Sequence, residues 1–149
     1  VHLVVIGQAS EHIDVLPVFA SICTKVSFTG RLSKEQLSKW YAMADLGVIP
    51  SYAEQFGYVG VEMMMHGLPI IASDGYGIRN MFQDSINARV VHIGENAIQF
   101  QQNLTNAILE LLSSGKLRKQ LGQQARKFYE DNYSIRLMEE RYKELFENL

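Results

Sequence analysis

Apolar residues in the first ninety positions come in short, mostly β-branched runs, each closed by a glycine, a proline or a polar turn. His2 to Ile6 stops at Gly7, Val26 to Thr29 at Gly30, and Leu46 to Ile49 at Pro50. Ile70 to Ser73 stops at the Asp74-Gly75-Tyr76-Gly77 turn, and Arg89 to His92 completes the series. Runs this short and continuous predict strands buried on both faces, as in a parallel sheet. Between them the period changes. Ser10 to Thr24 predicts a helix with Ser10 as its N-cap and Pro17 interrupting its first half. Ser33-Lys34-Glu35-Gln36 has the form of a capping box and opens a helix with Leu37, Tyr41 and Ala44 on one face. A further helix runs from about Gly57 to His66, and Gly67-Leu68-Pro69 ends it.

Beyond Asn96 the strand pattern ends and apolar residues recur at helical spacing. Leu104, Ile108 and Leu111 mark one amphipathic helix, broken near Ser113-Ser114-Gly115; Leu117, Leu121, Ala125 and Phe128 mark a second. Ile135, Met138, Tyr142, Leu145 and Leu149 mark a third, with Ser134 placed to cap it and the charges from Glu139 to Glu147 on its solvated face. The fold class that follows is α/β: a Rossmann-like, doubly wound parallel sheet with right-handed connections, followed by C-terminal helices.

The length of 149 residues, 47% of them apolar, suits a single domain with a real core. Fourteen basic against 16 acidic side chains leave a net charge of −2, which argues against nucleic acid or an anionic membrane as partner. The single cysteine, Cys23, excludes a disulfide framework and a cysteine zinc cluster and fits a reducing compartment. His2, His12, His66 and His92 fall in different elements without metal-ligand spacing, so no metal is expected. No apolar run approaches the roughly 20 residues of a membrane span, and no secretory signal opens the chain. A cytoplasmic protein is expected, free or at the inner membrane face in the intact enzyme, in which the sequons at Asn103 and Asn132 are accidental.

In an open parallel sheet, ligands bind beyond the carboxyl ends of the strands. Three predicted strand ends carry polar or glycine-containing turns: Gly30-Arg31, Pro50 to Gly57, and Ser73 to Gly77. The middle one is the most informative. Glu54 lies in its loop and Glu62 within the following helix, eight residues that as helix would span about 12 Å. Between them lie the first backbone N–H groups of that helix, near Phe56 to Val59. Those donors and the helix dipole suit a phosphate, which can approach closely where Gly57 lacks a side chain. Carboxylates repel phosphate but accept hydrogen bonds from sugar diols. The arrangement therefore suits a molecule with hydroxyls at both ends and phosphates in the middle, such as a nucleoside diphosphate sugar. Two other readings stay open on spacing alone. Glu54 can simply favour the helix start while Glu62 is solvated, or the pair can be the acid and base of a glycosidase, which leaves the helix amides unused.

Pro50-Ser51, Glu54-Gln55-Phe56-Gly57, Glu62 and Gly67-Leu68-Pro69-Ile70-Ile71-Ala72-Ser73 together closely resemble the retaining GT-B glycosyltransferases of family 4, the glycosyl transferases group 1. The resemblance extends upstream through Val26 to Gly30 and Tyr41 to Pro50, and downstream to Tyr133-Ser134. It implies that Glu54, the catalytic candidate, holds hydroxyls of the transferred sugar. The amides of Phe56, Gly57 and Tyr58 would meet the sugar and distal phosphate, and Val59 would lie close to the diphosphate. Glu62 would accept the ribose diol, and Gly30, Arg31 and Leu32 would flank the nucleobase. No cofactor is implied, the nucleoside diphosphate sugar being a substrate.

The resemblance also implies what is missing. The family's donor domain begins with one more strand and helix, whose arginine and lysine stabilise the departing diphosphate; this chain starts at the next strand, and neither Lys34 nor Arg79 replaces them. Residues 1–149 are thus expected to be one donor-binding domain, the C-terminal half of a GT-B enzyme without its first strand–helix unit. Its partner would be the missing N-terminal acceptor domain, and alone it would be inactive. The absent strand is central in the 3-2-1-4-5-6 order, so two strands would keep unpaired inner edges. Either the sheet closes over the gap, or another chain fills it by self-association. The rival is a non-catalytic glycosyltransferase-like scaffold subunit. A receiver-like domain lacks its acidic cluster after the first strand. The Gly75-Tyr76-Gly77 turn either approaches the phosphates or is an ordinary turn; Trp40, Tyr41 and Met63 to Met65 are expected to pack.

Overall fold

The structure, a computed structural model, describes residues 1–8 and 26–148. The helix expected over Ser10 to Thr24 and the last stripe residue, Leu149, lie outside the described residues. The elements are β1 (Leu3–Val5), β2 (Val26–Phe28), α1 (Lys34–Met43), β3 (Gly47–Ile49), α2 (Tyr58–Met65), β4 (Ile70–Ser73), β5 (Arg89–Val91), α3 (Ala97–Ser113), α4 (Gly115–Asn132) and α5 (Ile135–Glu147). All three strand pairings are parallel, as the short apolar runs predict. No described helix is long and apolar enough to cross a membrane. The described residues divide into two compact units, Val1–Trp40 and Tyr41–Leu149.

In the first unit β1 and β2 pair in register, Leu3 opposite Val26 and Val5 opposite Phe28. Backbone bonds extend the pair at its carboxyl end: Thr29 N–H donates to the Val5 carbonyl and Gly7 N–H to the Gly30 carbonyl, each at 3.1 Å. The capping box forms as read. The Ser33 amide donates to the Gln36 side-chain oxygen at 2.9 Å, and the Gln36 amide to the Ser33 hydroxyl oxygen at 3.2 Å.

The second unit holds a sheet of order β3-β4-β5. Its central strand is buried at every position from Ile70 to Ser73, which is why that run carries no polar alternation. Ile71 and Val91 pack with Phe100, Ala107 and Leu111 of α3 and Leu121 of α4 into one core cluster. Met63 and Met64 of α2 are buried, in agreement with their packing role. The end of α2 follows from Gly67, whose φ of 65° suits glycine. Gly67 N–H donates to the Met64 carbonyl at 3.0 Å and Leu68 N–H to the Met63 carbonyl at 3.1 Å, a Schellman motif that satisfies two terminal carbonyls.

Two expectations meet the structure differently. Among the described residues β1 pairs with β2 and β3 with β4, and no further strand pairs with β1 or β3. The stripe of α5 forms at the predicted positions, but no residue of α5 is buried. Ile135, Met138, Tyr142 and Leu145 are 53 to 67% exposed, and the last three border an open groove instead of a core. Helical period establishes that an apolar face exists; it does not supply the element that covers it.

Candidate active site

The loop between β3 and α2 is held in place by the ends of the neighbouring strands. Ser73, at the end of β4 and only 1% exposed, donates its hydroxyl to the Ser51 carbonyl, with the Ile49 carbonyl at 3.4 Å as a second acceptor. The Glu54 amide donates to the Tyr76 carbonyl at 2.9 Å, and the Tyr76 amide to the Tyr52 carbonyl at 3.1 Å. This pairing presses the Gly75-Tyr76-Gly77 turn onto the backbone that carries Glu54. A Cβ on Gly77, where φ is 88°, would lie 1.7 Å from the Glu54 carbonyl oxygen, so only glycine permits the approach. The turn's glycines thus have a packing reason. The Glu54 side chain is partly buried, and its Oε1 accepts from the Ser51 hydroxyl at 2.8 Å.

The helix that follows starts without a side-chain cap. Gly57 is its N-cap residue in the left-handed conformation, φ 79° and ψ 48°. A Cβ there would come within 2.7 Å of the Ile78 side chain. Gly60 N–H donates back to the Gly57 carbonyl at 2.9 Å, while the amides of Tyr58 and Val59 precede the first intrahelical bond. The side chains around them face outward: Phe56, Tyr58 and Val59 are all exposed. The Phe56 and Tyr58 ring centroids are 4.9 Å apart.

Glu62 sits one turn further along α2, also partly buried. Its Oε2 accepts from the Tyr41 hydroxyl at 3.0 Å. Tyr41, the first residue of the second unit, is buried with its ring 5.3 Å from that of His66. His66 Nδ1 in turn lies 2.9 Å from the Glu62 carbonyl oxygen. Burial, then the charge of Glu62 and its hydrogen bond, push the Tyr41 pKa above its ordinary value. Packing was expected of Tyr41; the bond to Glu62 was not. Its one signal in the sequence is a tyrosine at a core position, where the hydroxyl needs a partner.

Glu54, Phe56, Gly57, Tyr58, Val59 and Glu62 thus share one loop–helix segment of the second unit. Gly30 and Arg31 belong to the first unit, where the Gly30 carbonyl accepts from Gly7 and from the Thr29 hydroxyl, and Arg31 is exposed. Among the clefts formed by the described residues are two in the second unit. The smaller, about 420 Å³, includes Phe56, Tyr58, Tyr133 and Tyr142 in its lining. The larger, about 590 Å³, is lined by Asp45, Arg118, Lys119 and Arg126 among others, and includes none of the sequence-predicted site residues. Neither cleft is lined by Glu54 or Glu62. Sequence reasoning missed a further pair at the sheet's carboxyl edge, His92 Nδ1 against Asp74 Oδ2. Burial opposes the charge of Asp74, but His92 and the Ile93 amide outweigh it and hold its pKa below the usual carboxylate value.

Comparison with known proteins agrees with this architecture. The chain is 33% identical over 82 residues to the D-inositol 3-phosphate glycosyltransferase of Streptomyces coelicolor, a match covering 55% of this chain and 18% of that protein. Among solved structures, Anabaena HepE in complex with UDP superposes with a TM-score of 0.80 at 23% identity, over 100% of this chain and 41% of that one. The C-terminal domain of a glycosyl transferase group 1 family protein from Francisella tularensis superposes with a TM-score of 0.74 at 24% identity, over 90% of this chain and 70% of that one. The chain therefore spans about a fifth of the length of the curated relative and shares the GT-B type of α/β fold. Residues 1–128 match the profile of the glycosyl transferases group 1, and the chain belongs to that family.

Proposed function

We propose that residues 1–149 are the donor-binding domain of a two-domain retaining glycosyltransferase of family 4, which works in the cytoplasm without a metal and moves a hexose from a nucleoside diphosphate sugar to an acceptor. The observation that carries this reading is the start of α2: an uncapped helix opening at a left-handed glycine, between two partly buried carboxylates. Free amides and the helix dipole favour a diphosphate there. In this reading Phe56, Gly57, Tyr58 and Val59 meet the phosphates and sugar, Glu54 holds sugar hydroxyls, and Glu62 accepts the ribose diol. Gly30, Arg31 and Leu32 flank the base. The bond from the sugar's anomeric carbon to the diphosphate breaks, a bond to the acceptor oxygen forms, and the acceptor proton passes to the diphosphate. Cations for that leaving group, and the acceptor site, come from the rest of the protein, so residues 1–149 alone do not catalyse transfer. The relatives support a nucleotide-sugar donor: HepE is described in complex with UDP and with UDP-glucose.

The test is titration of UDP, GDP and ADP onto the natural full-length protein and its Glu62→Ala variant. Saturable binding of one nucleotide, weakened about tenfold or more by the substitution, is expected. Equal binding by both proteins would remove Glu62 from the site. No binding by either would favour a non-catalytic scaffold subunit.

A further inference from the structure

Tyr41 lies outside the segment that carries the donor reading, yet its hydroxyl reaches that segment's second carboxylate. We propose that Tyr41 is a positioning residue: by donating to Glu62 Oε2 it fixes the carboxylate that receives the ribose diol, and so sets the preference for ribonucleotide over 2′-deoxyribonucleotide donors. The inference rests on the donor reading of Glu62.

Three observations carry it. Tyr41 is held on its own account, 6% exposed and with its ring against that of His66, so its hydroxyl is a fixed donor. His66 is the C-cap residue of α2 and contacts the Glu62 carbonyl oxygen through Nδ1. The clamp therefore grips both the side chain and the backbone of the same glutamate. The bond engages Oε2 only; Oε1 takes no part in it.

The physical consequence concerns order. A glutamate has three rotatable side-chain bonds, and a ligand that must freeze them loses affinity in doing so. A carboxylate offers about four lone-pair sites on two oxygens. One bond from Tyr41 selects an orientation and leaves acceptor capacity on both. A ribose diol supplies two hydroxyl donors to that oriented pair, whereas a 2′-deoxyribose leaves a partly buried acceptor with one donor fewer. Discrimination thus depends on the carboxylate being held, and the hydroxyl of Tyr41 holds it.

The experiment compares wild type, Tyr41→Phe and Glu62→Gln of the natural full-length protein by calorimetry. The probes are whichever of UDP, GDP and ADP binds wild type most tightly, and its 2′-deoxy counterpart. Tyr41→Phe keeps the ring and removes only the hydroxyl. It is expected to weaken ribonucleotide binding by about five- to tenfold and 2′-deoxynucleotide binding by less than about twofold, so that the preference collapses. A merely structural tyrosine would weaken both probes alike, and that result overturns the assignment. Loss of the fold in Tyr41→Phe would also overturn it, by marking the hydroxyl as structural. Glu62→Gln separates the two readings. If it leaves ribonucleotide binding unchanged, the donor reading of Glu62 fails and takes this inference with it. If it weakens binding while Tyr41→Phe keeps the wild-type preference, only the role of Tyr41 fails.

Discussion

The starts of α2 and α4 solve the same problem in opposite ways. At α4 the Ser114 hydroxyl accepts from the Leu117 amide at 3.2 Å, occupying one of the helix's four orphan donors. Asn96 does the same for α3, Ser134 for α5 and Ser33 for α1. At α2 the corresponding residue is Gly57, which has no side chain to offer. A side-chain cap contributes about 1 kcal/mol over alanine but only a few tenths over glycine, so α2 forgoes it at small cost. It is anchored instead by the burial of Met63 and Met64 and by the Schellman bonds at its other end. The other four described helices each close one of their own first amides with a side chain; α2, beside Glu54, has no such cap.

The substitution that breaks this contrast most severely is Gly77→Val. Its Cβ would fall 1.7 Å from the Glu54 carbonyl oxygen at a φ of 88°, so the Glu54 loop must move. A loss on the order of 3 kcal/mol is expected in urea unfolding of the full-length protein, with nucleotide binding lost as well. Wild-type stability would show that the turn does not hold the loop. Next in size is Ser114→Ala, which removes the cap of α4. About 1 kcal/mol of stability should disappear while nucleotide affinity stays within about twofold, because a capped start has no ligand to lose. A large drop in affinity would erase the distinction between the two kinds of start.

The smallest effect sharpens the comparison through carboxylates. Asp84 accepts from the Val90 amide at 2.8 Å and pairs with Arg89 at 2.9 Å, a purely structural use of a carboxylate. Burial opposes its charge, but the Val90 amide and Arg89 together outweigh burial and lower its pKa below the ordinary value. A lowered carboxylate pKa adds stability above the unfolded value, about 3.9, and that stability is lost as pH falls through the folded value. Wild type should therefore lose more melting temperature than Asp84→Asn between pH 5 and pH 3, those limits bracketing the unfolded value of about 3.9. Parallel acid limbs in thermal melts of the two proteins would contradict this.

Much of the fold was legible because its signals are local. β4 is Ile70 to Ser73 in both the apolar run and the structure, since nothing but a β-branched run and its turn defines it. Ser33 with Gln36, and Ser134 before its apolar stripe, announced their helix starts through side chains that bond three residues away. Glu54 and Glu62 were legible as a pair because one loop and one helix carry both. What escaped depends on distance along the chain. Tyr41 and Glu62 are 21 residues apart, Asp74 and His92 are 18 apart, and no periodicity links either pair. The α5 stripe was legible as a face, yet its exposure depends on what lies opposite, which the stripe does not encode.

Ser73 carries a consequence for motion. Its hydroxyl donates to the Ser51 carbonyl, with the Ile49 carbonyl further off, so the end of the buried strand is riveted to the β3–α2 loop here as well as through the backbone bonds of Tyr76. A rearrangement of that loop must either break this rivet or drag a fully packed strand along with it. The backbone that carries Glu54 therefore takes its shape from the sheet beneath it.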